Sequence, residues 1–302
     1  RDGSNNVVYV SSGEGTTSQG DFHEALNWAS KEKAPVVFHI QNNKYAISVP
    51  IEEQTSGASV YNIVAGYDSL SRYNVDGTNF FETYLAFQKA IDKARKGNGP
   101  SVIVSNVVRL LPHSNADDHR KYRSEKDIEN DKKKDPLTIF STMCIKAKFL
   151  KQVDFDKLDE KAKKQVDEET NWADSQNNPV SEDAMKNIYS TSDDLKYCDT
   201  PNIIAEKVVL VDAINHALSE EMEVNPKMLI YGEDVGGGKG GVFTATRGLT
   251  DKFGVDRVYN SPLAESSIVG TAIGLSVAGY KPVVEIQFGD YVWTSMMQIR
   301  NE

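Results

Sequence analysis

The chain has 302 residues, enough for two domains of roughly 100–200 residues each, with 39% apolar residues, a net charge of −10 and two cysteines. The acidic balance argues against a partner such as nucleic acid or an acidic membrane surface, which needs clustered Lys and Arg, and the longest nearly uncharged run, Ile268 to Tyr280, falls short of the ~18 residues that suggest a membrane span. Cys144 and Cys198 are far apart and neither sits in a C-x-x-C pair, so a structural zinc is not expected and a cytoplasmic location fits.

No signal or transit peptide is visible. The chain opens on Arg1 and runs almost at once into Val7-Val8-Tyr9-Val10, which reads as a buried strand; it closes on Gln298-Ile299-Arg300-Asn301-Glu302 without a polar tail. Both ends read as cut from inside a longer protein, so the chain is expected to be a fragment.

After the first strand, Phe22, Ala25, Leu26 and Ala29 fall at i, i+3, i+4 and i+7, one apolar face of a helix. Asp21 and Glu24 at its start and Lys31 and Lys33 at its end suit the helix dipole. Pro35 precedes a second strand, Val36 to Ile40, and a further helix at Phe81–Lys96 leads to a strand at Ser101–Val107. Strands alternating with helices point to a parallel α/β sheet. Asp117 to Asp135 holds seven acids and seven bases and reads as a solvated, partly mobile loop. Residues 136–170 read as polar helix, and Gln176-Asn177-Asn178-Pro179 and Asp199-Thr200-Pro201 as breakers. The α/β pattern then returns. Leu210, Ile214, Ala217 and Leu218 form a helix stripe, Met228 to Tyr231 a strand, and Pro282 to Phe288 another. The expected division is therefore 1–135, an α/β domain; 136–202, a helical extension and linker; and 203–302, a second α/β domain.

Two loops carry the first chemistry. Gly13-Glu14-Gly15 follows the first strand, and Asn42-Asn43 follows the second, with Tyr45 two residues on. In a parallel sheet these are neighbouring loops at strand carboxyl ends, where open α/β sheets bind ligands. Alone, Gly-x-Gly is a tight turn. With Asn43 placed 29 residues after Glu14 and a strand before each, it suggests a phosphate loop. The Glu14 carboxylate, the Asn43 amide oxygen and the Tyr45 carbonyl are hard oxygen ligands that suit Mg2+ on a diphosphate. By contrast, Gly236-Gly237-Gly238-Lys239-Gly240-Gly241 satisfies G-x-G-x-x-G only through glycine density and is read as a flexible loop, not a dinucleotide site.

The run from Gly13 to Asn27, together with Gln41-Asn42-Asn43-Lys44-Tyr45-Ala46-Ile47-Ser48, resembles the α-chain of the thiamine diphosphate-dependent 2-oxoacid dehydrogenases. The family usually has Asp at the position of Glu14, and Glu there is similar to its branched-chain members. The resemblance implies that Glu14, Asn43 and the Tyr45 backbone hold Mg2+, and that Gly13 and Gly15 line the diphosphate. Arg109 to Asp118, with Tyr122 and Arg123, is similar to the mobile loop beside the family's active site. There His113 takes the place of a histidine that contacts the reacting intermediate, Asp117, Tyr122 and Arg123 order the loop, and Arg109 helps to hold it. Tyr231-Gly232-Glu233-Asp234-Val235, Asn260 to Glu265, and Glu285 to Tyr291 resemble the β-chain of the same enzymes. Glu265 matches the carboxylate that meets N1′ of the cofactor's aminopyrimidine, and Leu263, Gln287 and Tyr291 match residues around that ring.

An α-like and a β-like part in one chain imply a fused form of an enzyme often made of two subunits: two thiamine diphosphate-binding-type domains with mostly parallel, helix-covered sheets, joined by a helical segment and linker. The implied activity is oxidative decarboxylation of a 2-oxoacid, most simply a branched-chain one of the 2-oxoisovalerate type, with acyl transfer to the lipoyl group of an acyltransferase partner. Catalytic roles fall to His113 and Glu265, and a homodimer is expected. A pyruvate or acetoin dehydrogenase with the same machinery, or a non-catalytic scaffold that keeps the fold, stays open at this stage.

Overall fold

The computed structural model describes residues 3–186, 188 and 207–302. The first elements are β1 (Val8–Gly13), α1 (Gly20–Lys31), β2 (Val36–Asn42) and the short paired strands β3 (Tyr45–Ala46) and β4 (Val49–Pro50). The short helices α2 (Ile51–Gln54) and α3 (Val60–Ile63) follow, then β5 (Ser71–Asp76), α4 (Phe80–Arg95) and β6 (Ser101–Asn106). β1, β2, β6 and β5 form a four-stranded, all-parallel sheet in that order. β2 and β6 lie inside it and are covered on both faces, which is why they read as continuous apolar runs. Phe38, Ile40, Val102 and Val104 pack against Phe22 and Leu26 of α1 and Val60 of α3 on one face. Val37 and Ile103 pack against Ala86 and Ala90 of α4 on the other.

Next come α5 (Glu125–Lys132), α6 (Pro136–Lys146) and α7 (Gln152–Asp174). Beyond the undescribed stretch are α8 (Leu210–Val224), β7 (Met228–Gly232), α9 (Leu249–Phe253), β8 (Val258–Asn260), α10 (Glu265–Val277), β9 (Lys281–Glu285) and α11 (Met296–Asn301). The second sheet is parallel in the order β8-β7-β9. Met222 of α8 and Leu249 of α9 cover one face, with Met228, Ile230 and Val258. Ile268 of α10 covers the other, packed against Tyr231 of β7 and joined by Trp28 of α1.

Two compact units result: Arg1–Ile139 with Val208–Glu302, and Phe140–Lys207. Both sheets belong to the first unit, where α1 meets α10. The Glu24 carboxylate accepts from the Ser267 backbone N–H (3.2 Å) and hydroxyl (2.8 Å), and the Gln298 amide donates to Asp21 (2.7 Å). Trp28 sits edge-on to Tyr231, with ring centroids 5.9 Å apart.

Several local expectations need correction. β1 is a sheet edge, and Val8, Tyr9 and Val10 are exposed rather than buried, because only β2 flanks the strand. α1 ends at Lys31, and Lys33 lies beyond it at a φ of 50°. The stretch Asp117–Asp135 is not a loop throughout: Ser124 caps α5 by accepting from the Asp127 N–H at 3.1 Å, and Arg123 and Ile128 are buried. The stripe on α8 is mostly uncovered, with Leu210 77% exposed, while Leu218 and Met222 meet β7. A period reports that a helix has an apolar side, not that anything lies against it. β9 stops at Glu285, and the polar strand β5 and the three-residue β8 were not anticipated.

The glycine run Gly236–Gly241 is anchored rather than loose. The Gly236 and Gly237 N–H groups donate to Asn260 (2.6 Å) and Thr250 (2.9 Å). A Cβ at Gly236 would come within 2.9 Å of the Tyr259 Cα, so the run is a close backbone crossing. Asp199-Thr200-Pro201, Cys198, the linker and the boundary at residues 202 and 203 lie outside the described residues.

The packing predicts a sharp contrast between two apparent helix-stripe leucines. Leu26→Ala, at the fully buried centre of the first core, is expected to destabilise by about 2–5 kcal/mol. Leu210→Ala should stay within about 0.5 kcal/mol. Denaturant unfolding of both variants measures the difference, and equal losses would mean that Leu210 is packed in solution.

Candidate active site

The parallel pairing of β1 and β2 aligns Gly13 with Gln41, so the loops that follow lie side by side. Glu14 turns back under them and is 1% exposed. Its Oε2 accepts from the Asn43 backbone N–H at 3.1 Å. Its Oε1 is buried with no hydrogen-bond partner among the described residues. Burial pushes the Glu14 carboxyl above its ordinary range, partly offset by backbone N–H groups and by the Arg109 charge. Asn43 accepts from the Tyr45 N–H at 3.0 Å through its Oδ1. Gly15 is needed here for a steric reason: a Cβ on it would lie 2.7 Å from the Ala46 Cβ, where the second loop crosses the first. Among the described residues no three His, Cys, Asp or Glu side chains converge. A cation at this position would therefore rest on one carboxylate and neutral oxygens.

Arg109, at the end of the segment after β6, links these loops to the stretch carrying His113. Its guanidinium donates to the Tyr45 carbonyl (2.7 Å), to the Ile47 carbonyl and to the Tyr122 hydroxyl (3.2 Å). The Tyr122 hydroxyl donates to Asp117 (2.6 Å), which also accepts the His113 backbone N–H (2.9 Å). These two bonds, Tyr122 first, hold the Asp117 carboxyl below its usual range. Arg123 donates to the Arg109 carbonyl (2.9 Å) and pairs with Asp131. Asp117, Tyr122, Arg123 and Arg109 thus form one network, and His113, tied to it through its backbone N–H, is exposed.

In the second sheet Glu265 opens α10 and is half-buried. Leu263, two residues earlier, is 85% exposed, and Tyr291 is also exposed. Gln287 donates to Asp234 at 2.9 Å. Two neighbours had been quoted only as parts of motifs. Burial raises the Glu233 carboxyl, and Glu265 and Asp234 beside it raise it further. Glu285 is raised by burial and then by Asp234, and its Oε1 is buried without a partner among the described residues. Their position at the ends of β7 and β9 was the available signal, since strand carboxyl ends collect functional groups in parallel sheets. The structure thus brings Glu14, Asn43 and Tyr45 together and groups Glu265 with Glu233.

A polar cleft of about 820 Å³ opens at the carboxyl ends of β2, β6 and β5, lined among others by Asn43, Tyr45, Asn74, Asp76, Asn106 and Arg123. An amide chain crosses its floor, from Asn42 to Asn106 (3.1 Å) and from Asn106 to Asn74 (2.8 Å).

Residues 1–182 match the family of the dehydrogenase E1 component. The chain belongs to that family. Residues 206–302 match the transketolase pyrimidine-binding domain. The 2-oxoisovalerate dehydrogenase α subunit of Bacillus subtilis is 41% identical over 134 residues, 44% of this chain and 40% of that protein. The pyruvate dehydrogenase E1 component α subunit of the same organism is 35% identical over 187 residues, 61% of this chain and 49% of its own. The pyruvate dehydrogenase E1 component β subunit of Leifsonia xyli is 48% identical over 102 residues, 34% of this chain and 30% of its own. The chain spans less than half the length of each of these relatives. Its two α/β zones are the fused α-like and β-like parts expected from the sequence.

The raised Glu14 carboxyl has a consequence for stability. A folded-state pKa above the ordinary 4.5 means that ionisation of Glu14 opposes folding. That penalty is absent below pH 4.5, grows as pH rises above it, and is complete once pH passes the folded value. Without divalent cation, Glu14→Gln should melt at a higher temperature than the parent chain at pH 7 and at a similar one near pH 4. A gain that persists unchanged at pH 4 would place its origin elsewhere than the charge.

Proposed function

We propose that this chain is the decarboxylating part of a 2-oxoacid dehydrogenase that uses thiamine diphosphate and Mg2+. The observation that carries the reading is Glu14: a carboxylate buried at adjoining strand ends, with one oxygen left without a partner among the described residues, beside Asn43 and Tyr45. That donor set fits a hard divalent cation, since carboxylate, amide and carbonyl oxygens suit Mg2+. The Tyr45 carbonyl keeps a second lone pair beyond the one facing Arg109.

In this reading Glu14, Asn43 and the Tyr45 carbonyl bind Mg2+, and Gly13 and Gly15 let the backbone approach the diphosphate. Thiamine diphosphate supplies, when bound, a carbon nucleophile and an electron sink for decarboxylation. Glu265 exchanges a proton with N1′ of the aminopyrimidine, and Leu263, Gln287 and Tyr291 line that ring. The exposure of Leu263 and Tyr291 supports an apolar surface meant to be covered. His113 offers a proton or hydrogen bond to the substrate from a stretch held by Asp117, Tyr122 and Arg109. The division into 1–135, 136–202 and 203–302 is proposed with these roles.

The substrate we favour is a branched-chain 2-oxoacid of the 2-oxoisovalerate type, with the acyl group passing to a lipoyl-bearing acyltransferase. Support comes from Glu14 in place of the family's usual Asp and from the 41% identity to a 2-oxoisovalerate dehydrogenase α subunit. A second reading, a pyruvate dehydrogenase, is favoured by the 48% identity of the second zone to a pyruvate dehydrogenase β subunit. A panel of 2-oxoacids with a lipoyl-domain acceptor separates them by kcat/KM. The proposed enzyme works as a homodimer in the cytoplasm. Among the described residues no helix is long and apolar enough to cross a membrane.

Two measurements on the full chain test the site. Titration with thiamine diphosphate and Mg2+ should give saturable binding that Glu14→Ala or Asn43→Ala weakens together for metal and cofactor, by roughly 1–3 kcal/mol per lost ligand contact. An unchanged requirement for both would move the metal site elsewhere. Glu265→Gln should leave cofactor affinity within about 1–3 kcal/mol, because the amide can still hydrogen-bond. It cannot exchange the N1′ proton, so deuterium exchange at the cofactor's C2 carbon should slow by orders of magnitude. Equal exchange rates in parent and variant would return Glu265 to a structural role.

A further inference from the structure

The short helix α2 is tied to both loops of the candidate site. Its first backbone N–H, on Ile51, donates to the Lys44 carbonyl at 2.9 Å, in the loop that carries Asn43 and Tyr45. Its last residue, Gln54, accepts from the Ser18 hydroxyl at 3.4 Å through its backbone carbonyl, in the turn that follows Glu14. Within α2, Ile51 is buried, Glu52 and Glu53 are exposed, and Gln54 is half-buried.

The Gln54 side chain lies against Gly15. A Cβ on Gly15 would come within 3.7 Å of the Gln54 Oε1, so the amide flanks the residue next to Glu14. The Gln54 Nε2 is buried and has no hydrogen-bond partner among the described residues. A buried donor without an acceptor opposes folding, and an apolar side chain of similar size would avoid that cost. Packing alone therefore gives no reason for an amide here. The Glu14 Oε1 is the complementary case, a buried acceptor that also lacks a partner among the described residues. A cation alone would satisfy the carboxylate and leave the amide unmatched. A metal diphosphate supplies a cation for the first and anionic oxygens for the second.

We propose that the Gln54 side-chain amide is a cofactor-binding group, donating through Nε2 to a diphosphate oxygen beside Gly15. The inference rests on the cofactor reading and adds a residue to it. An amide suits the position because it holds an anionic oxygen without bringing a positive charge near the metal that Glu14 would bind.

Calorimetric titration of the full chain tests this, first with Mg2+ alone and then with thiamine diphosphate at saturating Mg2+. Gln54→Leu should bind the cofactor at least about tenfold more weakly, the scale of a hydrogen bond to a charged group, with binding of Mg2+ alone within about twofold of the parent. Gln54→Glu should weaken the cofactor further, yet bind Mg2+ alone at least as tightly as the parent, since a carboxylate repels the diphosphate and attracts the metal. A packing defect does not produce that split of sign. The ligand-free Gln54→Leu chain should melt no lower than the parent, because the variant removes an unmatched buried donor. Unchanged cofactor affinity in Gln54→Leu, equal losses for Mg2+ and cofactor, or a lower ligand-free melting temperature would each overturn the proposal. If Gln54→Leu binds like the parent while Glu14→Ala weakens binding, only the Gln54 assignment falls. A parent chain that binds no thiamine diphosphate removes the cofactor reading along with it.

Discussion

The bond from the Asn43 backbone to the Glu14 carboxylate depends on two strands that are separated by a whole helix in sequence yet run parallel and in register. Parallel pairing of β1 with β2 requires a crossover, and α1 supplies it with a face of Phe22 and Leu26 that seals the sheet. Once the register is set, the two loops have little freedom. Gly15 passes so close to Ala46 that a side chain would not fit. The site chemistry is thus a consequence of core packing several residues away.

Burial of Glu14 leaves an electrostatic debt. One oxygen is satisfied by a backbone N–H and the other by nothing within the described residues, while Arg109 supplies only long-range compensation. A buried carboxylate in that state is unfavourable unless a proton or cation joins it. Arg109 also fastens the Tyr45 and Ile47 carbonyls and, through Tyr122 and Asp117, the backbone of His113. The stretch that presents His113 is therefore mechanically continuous with the loop that holds Asn43.

The second sheet repeats the arrangement with different groups. Glu233 and Glu285 leave the ends of β7 and β9, Glu265 opens α10, and burial keeps Glu233 and Glu285 raised, with Asp234 beside both and Glu265 beside Glu233 raising them further. The two sheets meet through α1 and α10, where Glu24, Asp21 and Trp28 find partners on the second half of the chain. The acids at the start of α1, read from sequence as dipole complements, serve as an inter-sheet contact as well.

The sequence by itself determined the fold class, the central strands β2, β6 and β7, the helices α1 and α4, and the candidate residues. Those signals are local: apolar runs for strands buried on both faces, a 3.6-residue period for helices, and short motifs at strand ends. Tertiary structure decided what local signals do not encode. β1 reads like a buried strand and lies at an edge; the α8 stripe has the right period and little to cover it; β5 is too polar to recognise and is held by pairing with β6. Arg123 and Ile128 sit in a charge-balanced stretch and are buried because the chain folds back over them. The roles of Arg109 as a link and of Glu233 and Glu285 as raised carboxyls needed three dimensions too. Burial, pairing and pKa are set by which distant segments arrive alongside, and a one-dimensional pattern carries only half of each such contact.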